Sequence, residues 1–224
     1  GAHWQPFQLN LPNVPVTDIK VHHRDLIVST QGRAFWIIDN ISPLHQLSPQ
    51  LANSEVHLFK PRDGFRTRTA TANLGPMIQY YLPANVSGVV TIDVLDAKGA
   101  VLNSYSSATP APTGRGGTGA GMPGSGGVTA DPDDPDSAPR RGGPPAPRVT
   151  KNAGLNRVVW DLRNKDGVTL TPGPYQVKLK VGEKTFTENL NVLIDPRVAA
   201  DGVTLADLQE QFEHNLRMRT LVND

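Results

Sequence analysis

The sequence contains no cysteine, so disulfide bonds, thiolate metal sites and cysteine nucleophiles are excluded within this chain. It has no excess of one charge, because 22 Lys and Arg residues stand against 21 Asp and Glu, and it has no basic stripe of the kind that binds nucleic acid. No run of about 18 apolar residues occurs, and no export signal opens these residues. We therefore expect no nucleic-acid partner and no membrane span.

Three apolar segments near the start, residues 16–22, 25–30 and 34–39, predict three antiparallel strands joined by tight turns. The second and third are apolar at successive positions, which is typical of a sheet covered on both faces. Nothing later in the chain offers two matching covers, and three strands alone are marginally stable. We expect copies of the same unit to cover this sheet, as neighbouring blades do in a β-propeller.

The rest of the chain predicts a second β-rich unit. Seven segments with strand-like patterns follow: residues 56–61, 77–83, 89–95, 101–106, 155–162, 174–181 and 184–194. Seven strands suit an immunoglobulin-like or fibronectin-like sandwich. Residues 108–149, rich in Gly and Pro, predict a disordered insertion, and closing a hairpin over that length costs only about 2 kcal/mol more than a short loop.

The last segment predicts an amphipathic helix. Thr204 is a candidate N-cap with Asp207 three residues later, as in a capping box. One apolar stripe follows, formed by Leu205, Leu208, Phe212 and Leu216. The predicted protein is thus mainly β: the final propeller blade over residues 1–53, a sandwich over 54–197, and a linker with the start of a C-terminal helix over 198–224.

A T-x-G-R-x-F-W-I-x-D motif lies within the first unit, at Thr30, Gly32, Arg33, Phe35, Trp36, Ile37 and Asp39. With its flanks, it resembles the last blade of the sortilin-like (Vps10-like) BNR/Asp-box repeat propellers found in large bacterial proteins often labelled glycosyl hydrolases. The segments HLFKPRD, GPMIQYYLP, GLNRVVWDLR and PGPYQVKL follow in the same order as in those proteins. This resemblance implies a secreted or periplasmic location.

The first four residues, GAHW, precede a strand-like stretch. Gly1 and Trp4 resemble the second half of the Asp-box pattern S-x-D-x-G-x-x-W, whose Ser and Asp would then precede residue 1. A cloning remnant fits the same four residues. On the Asp-box interpretation, the chain is the C-terminal piece of a larger protein, and the other propeller blades are its partners.

A second resemblance lies in the W-D…D-G…P-G-x-Y order of Trp160, Asp161, Asp166, Gly167, Pro172, Gly173 and Tyr175. It is similar to the immunoglobulin-like domain of the flagellar hook-capping family. Trp160 would be a core anchor, Asp166–Gly167 a turn, and Pro172–Gly173 the approach to the Tyr175 strand. Turn and core residues build a fold and perform no chemistry.

The candidate ligand contacts are Gln31 and Arg33. In a propeller blade their turn lies on the face that usually binds ligands, whereas His22, His23 and Arg24 lie on the opposite face. Glycoside hydrolysis needs two carboxylates about 5 to 10 Å apart. The first unit and its flank offer Asp18, Asp25, Asp39, Glu55 and Asp63, each at a strand end or turn where such residues are common for backbone reasons.

Metal and cofactor sites are not predicted. Adjacent side chains such as His22 and His23 point in different directions, and no third ligand has useful spacing. The acidic run at residues 131–136 lacks the Gly and Glu of an EF-hand loop, and we interpret it as solvated. Asn40 and Asn85 begin N-glycosylation tripeptides, which are also common by chance.

Three functions remain open. The first is a non-catalytic accessory or scaffold region that supports binding of a carbohydrate or peptide by the propeller. The alternative is part of a glycan-acting hydrolase whose active site lies on blades outside this chain. The third is a free-standing, lectin-like sandwich that folds and binds without the blade.

Overall fold

A computed structural model describes residues 4, 6–48, 56–68, 75–84, 86–108 and 149–223. These ranges contain eleven strands and three helices, which confirms a mainly β chain with a C-terminal helix. Several predictions lie outside the described residues: Gly1, Glu55, Asn85, the acidic run and nearly all of the insertion at 108–149.

The first three strands form an antiparallel sheet, here called sheet A. They are β1 (Val16–His22), β2 (Asp25–Thr30) and β3 (Phe35–Ile38), in the order β1-β2-β3. Residues 23 and 24 join β1 to β2, and both have positive φ, at 47° and 68°. This is the geometry of a two-residue hairpin turn that matches the twist of the strands. The three predicted strands are therefore present, with β3 one residue shorter at each end.

Eight further strands form two more sheets. They are β4 (His57–Leu58), β5 (Gly64–Arg66), β6 (Met77–Leu82), β7 (Val90–Asp96), β8 (Val101–Ser106), β9 (Gly154–Val159), β10 (Gly173–Val181) and β11 (Lys184–Ile194). Sheet B has the order β4-β6-β9, and sheet C has the order β5-β11-β10-β7-β8.

The main core is a cluster of buried side chains from sheets B and C. Alternate residues of β10, namely Tyr175, Val177, Leu179 and Val181, join it, as the period of two in that segment predicts. From sheet B it receives Ile78, Tyr80, Leu82 and Val158. Trp160 is fully buried in the same cluster and packs edge-on against Tyr175, with 5.3 Å between ring centroids.

Three features of sheets B and C differ from the predicted strands. β4 covers only His57–Leu58 of the strand predicted over residues 56–61. β5 was not predicted; it pairs in parallel with β11, and Leu193 faces Phe65 in the register. β9 ends at Val159, although the pattern predicts a strand to residue 162. The Trp160 N–H still donates to the Pro76 carbonyl, but Pro76 has no N–H to donate in return, and the chain then turns away at Leu162, which has a φ of 57°.

The helices are α1 (Ser42–Gln46), α2 (Pro196–Ala200) and α3 (Leu205–Asn223). The predicted capping box at the start of α3 is confirmed. The Thr204 N–H donates to Asp207 Oδ2 at 2.8 Å, and the Asp207 N–H donates to Thr204 Oγ1 at 3.3 Å. Phe212 packs against the main core, which gives the predicted apolar stripe a surface to lie on, whereas Leu205 is 56% exposed.

Candidate functional site

The turn between β2 and β3 carries both candidate ligand residues, Gln31 and Arg33. Both side chains are exposed. Within the described part of the chain, the Arg33 guanidinium has no hydrogen-bond or ion-pair partner. The turn therefore presents one uncommitted cation and one exposed amide.

Hydrogen bonds within the T-x-G-R-x-F-W motif fix the shape of this turn. Thr30 Oγ1 donates to the Ala34 carbonyl at 2.8 Å, and the Trp36 indole N–H donates to the Arg33 carbonyl at 3.0 Å. Gly32 has a φ of 77°, a value that glycine adopts without strain. The motif residues thus hold the backbone beneath Gln31 and Arg33, while the two side chains remain exposed.

Strands β2 and β3 carry apolar side chains on both faces of sheet A, and no residue of the three strands is buried. The register places one set of side chains on one face: Ile19, Val21, Leu26, Val28, Trp36 and Ile38. The opposite face includes Ile27, Phe35 and Ile37, of which Phe35 is 72% exposed. Covers for this sheet were predicted, and the described residues do not supply them.

The end of sheet A opposite Gln31 and Arg33 contacts the rest of the chain. One guanidinium nitrogen of Arg62 donates to Asp25 Oδ1 at 2.8 Å and to the His23 carbonyl at 2.9 Å. The Ile41 N–H donates to the Arg24 carbonyl at 2.7 Å. The carbonyl groups of His23 and Arg24, the two turn residues with positive φ, therefore both accept hydrogen bonds from residues outside the turn.

We use the name junction for the contact region formed by Arg62, Ile41 and the buried amide pair of Asn40 and Gln79. Asn40 Nδ2 donates to Gln79 Oε1 at 2.9 Å, and both side chains are buried. Gln79 lies in β6 on the opposite side from the core residues Ile78 and Tyr80, so sheet A meets the outer face of sheet B. Next to Asn40, Ser42 is 2% exposed, and its Oγ has no hydrogen-bond partner among the described residues.

The junction residues Asn40, Arg62 and Gln79 were not singled out from the sequence. The sequence indicated Asn40 only as the first residue of a possible N-glycosylation tripeptide. In the structure its side chain donates to Gln79 and accepts from the Ser42 N–H. An amide inside the apolar segment MIQYYL was the available signal, because a buried polar group needs a partner.

The candidate carboxylates near sheet A have structural partners or stand exposed. Asp25 accepts from the Asn40 N–H and from Arg62, Asp18 accepts from the Ile19 N–H, and Asp63 accepts from Asn191. Asp39 is exposed. Asp18 and Asp25 thus accept from backbone N–H groups, as expected for such residues at strand ends, whereas the partner of Asp63 is a side chain.

No three His, Cys, Asp or Glu residues among the described ones are arranged to hold a metal ion. The rings of His22 and His23 contact each other edge-on, with 4.2 Å between centroids. No helix of the described residues combines the length and the apolar character needed to cross a bilayer.

Hydrogen bonds connect the W-D…D-G residues to strand β8. The Trp160 indole N–H donates to the Arg163 carbonyl at 3.2 Å, and Asn103 Nδ2 donates to the same carbonyl at 3.0 Å. The Tyr105 hydroxyl donates to Asp161 Oδ1 at 3.4 Å. Burial, with the neighbouring Asp161 carboxylate, raises the pKa of Tyr105, so this tyrosine stays protonated.

The remaining motif residues form a turn and a strand start. Asn164 Oδ1 accepts from the N–H groups of Asp166 and Val168, and Gly167 has a φ of 78°. Gly173 is the first residue of β10, and the Tyr175 hydroxyl donates to the Thr171 carbonyl at 2.5 Å. Trp4 is 87% exposed.

No protein-family model matches the chain, and no curated protein matches it. Among solved structures the chain is similar to PorZ, described as an essential bacterial surface component of the type-IX secretion system of Porphyromonas gingivalis. The identity is 15% and the TM-score 0.25, with 80% of this chain and 23% of the PorZ chain covered. A likeness at that TM-score carries no argument about fold or function. The resemblances to sortilin-like propellers and to the hook-capping family stay predictions.

Proposed function

We propose that this chain is a non-catalytic accessory region of a secreted or periplasmic repeat-propeller protein. In this proposal sheet A is the final propeller blade, and sheets B and C form an immunoglobulin-like sandwich. The blade occupies residues 1–53 and the sandwich 54–197. The sandwich holds the blade in position, and the assembled propeller binds a carbohydrate or peptide.

One observation supports this proposal above the others: β2 and β3 carry apolar side chains on both faces of sheet A, and none of the strand residues of this sheet is buried. Burying one large apolar side chain contributes about 1.5–3 kcal/mol. The strands of sheet A contain ten such side chains, so neighbouring units that cover them would stabilise the sheet considerably. Stacked blades would supply neighbours on both faces, which a single covering domain would not.

The place of the junction also supports a scaffold role. The contact is made by Gln79 of sheet B and by Arg62, in the segment joining β4 to β5, at the end of sheet A remote from Gln31 and Arg33. A support at that end leaves the β2–β3 turn open. Arg33 would then be able to contact an anionic or hydroxylated group of a ligand held by the propeller.

The test compares the 224-residue chain with the natural protein at full length. In the chain alone, Ile19→Ser and Phe35→Ser should each lower the melting temperature by less than about 2 °C, because the wild-type side chains are mostly exposed. In the natural protein the same changes should lower it by about 4 °C or more, because neighbouring blades would cover them. Lys20→Ser is the matched control and should have little effect in either.

Two results would contradict the proposal. The natural protein could have an intact mass near 24.2 kDa, the mass of this chain, which would leave no room for further blades. The full-length protein could also hydrolyse members of a broad glycan panel and lose turnover in Arg33→Ala. That outcome would favour the hydrolase alternative over a scaffold.

A further inference from the structure

A polar cleft of about 560 Å³ lies on the outer face of sheet C, beside the junction. Its side-chain lining includes Lys60, Asp63, Pro174, Gln176, Asn189 and Asn191. The cleft falls in the size range of small-molecule sites, about 300–1,000 Å³. The backbone at Lys60 is held against α1, because the Lys60 N–H donates to Gln46 Oε1 at 2.9 Å.

Two amides in this cleft are free to bind a ligand. Gln176 and Asn189 stand directly opposite each other in the β10–β11 register, about 5 Å apart at Cβ. Within the described ranges, neither side-chain amide makes a hydrogen bond. Asn191, two residues along β11, donates to Asp63 Oδ1 at 3.3 Å, which orients a third amide in the same row.

An apolar surface formed by Leu193 and Phe65 lies next to the three amide side chains. Leu193 follows Asn191 on the same face of β11, about 7 Å further along the strand, and Phe65 is its register partner in β5. Both side chains are 43% exposed, whereas the alternate residue Val192 is buried in the core. The outer face of sheet C thus combines an exposed aromatic ring with a row of amides.

This combination matches the surface of a sugar. Each amide both donates and accepts, as each sugar hydroxyl does, and two amides on neighbouring strands can bind adjacent hydroxyls. The Phe65 ring offers an apolar surface for the C–H face of a sugar ring. Lys60 and Asp63 carry opposite charges, so the cleft does not select a charged ligand.

We propose that this cleft and the apolar surface next to it bind a neutral oligosaccharide, with Gln176 and Asn189 as hydroxyl-binding residues in the cleft and Phe65, outside its lining, as the stacking surface. The site belongs to sheet C, so it does not depend on the blade interpretation of sheet A. It would give the protein a sugar contact separate from Gln31 and Arg33.

The experiment titrates the full 224-residue chain, labelled with ¹⁵N, with cellohexaose, maltohexaose and chitohexaose. At least one should give saturable chemical-shift changes centred on the outer face of β5, β10 and β11. Asn189→Ala and Gln176→Ala should each weaken binding about fivefold, the loss of one hydrogen bond, and Phe65→Ala should weaken it at least as much. Thr187→Ala, two residues from Asn189 on the same face, is the matched control and should bind within about twofold of wild type.

Melting curves of all four variants show whether each variant is folded, so that a loss of binding is not mistaken for a loss of folding. The proposal is overturned if none of the three hexasaccharides gives saturable shifts. It is also overturned if the shifts map away from the cleft, or if the Asn189→Ala and Gln176→Ala variants bind as tightly as wild type. Tighter binding of polygalacturonate than of every neutral sugar would contradict the neutral class. None of these results depends on whether further blades exist.

Discussion

Arg62 and Asp25 form an ion pair of 2.8 Å between sheet A and the segment joining β4 to β5. The same Arg62 nitrogen reaches the carbonyl of His23, which lies in the positive-φ turn next to Asp25. One side chain therefore bonds a strand end and a strained turn together. A residue other than glycine with positive φ costs about 1–3 kcal/mol, and this conformation persists where surrounding contacts hold it in place.

Arg62→Ala should destabilise the junction by about 1–2 kcal/mol, because it removes two hydrogen bonds from a half-exposed charged group. Hydrogen exchange should rise at the amides of Asn40 and Ile41, which are bonded in the junction. Arg68→Ala is the matched control, since Arg68 pairs with Asp201 at an exposed site, and it should cost less than about 0.5 kcal/mol. Equal effects of the two substitutions would show that the junction contributes nothing beyond a surface pair.

Trp160→Ala should lower the free energy of unfolding by about 3–5 kcal/mol, the cost of emptying a fully buried aromatic site. It also leaves the Arg163 carbonyl with one donor fewer. Trp4→Ala removes the same type of side chain from an exposed position and should cost less than about 0.5 kcal/mol. Urea denaturation of the two variants measures the difference, and a small loss for Trp160→Ala would place this residue outside the core.

Asp93 should contribute to stability in a pH-dependent manner. Burial alone would raise its pKa, but hydrogen bonds from Lys180 and Ser104 outweigh burial and hold the pKa below its usual value. A carboxylate with a lowered folded-state pKa stabilises fully above the unfolded-state pKa of about 3.9, and this stabilisation is lost as pH falls through the folded value.

Asp93→Asn should therefore cost about 1–2 kcal/mol at pH 7. The gap from wild type should narrow as the pH falls below about 4, because the wild-type carboxyl then also becomes neutral. Melting temperatures from pH 2 to 7 measure this gap. A gap that is constant over the range would mean that the charge of Asp93 has no stabilising role.

Thr204→Ala should destabilise the start of α3 by about 1 kcal/mol, because it removes the hydroxyl that accepts from the Asp207 N–H. Hydrogen exchange of the first turn should rise, and the main-core amides of β10 should be unaffected. Thr220→Ala is the control: its hydroxyl donates to the Leu216 carbonyl near the C-terminal end of α3, where alanine is the better helix former. The capping interpretation fails if both variants behave alike.

The regular parts of the fold could be predicted because their patterns are local. Alternation of apolar and polar residues over 174–181 predicts β10, and the spacing of Thr204 and Asp207 predicts the start of α3. Short elements could not be predicted in this way. β5 has three residues and no period, and it is a strand because β11 lies beside it.

The contacts that position sheet A could not be predicted, because their partners are distant in the sequence. Asn40 and Gln79 are 39 residues apart, as are His23 and Arg62. Each residue is ordinary in its own segment, and only the three-dimensional arrangement brings the pairs together. The amides of the cleft were missed for a related reason, since Gln176 and Asn189 meet only through the pairing of β10 with β11.

The exposed strands of sheet A also determine how the isolated chain behaves in solution. β1 is an outer strand of sheet A, and Lys20 lies between its apolar residues Ile19 and Val21. Unpaired, apolar edge strands template aggregation, and a charge within them opposes it. Replacing Lys20 with valine should therefore make the isolated chain aggregate more readily through β1, whereas the polar replacement Lys20→Ser should not.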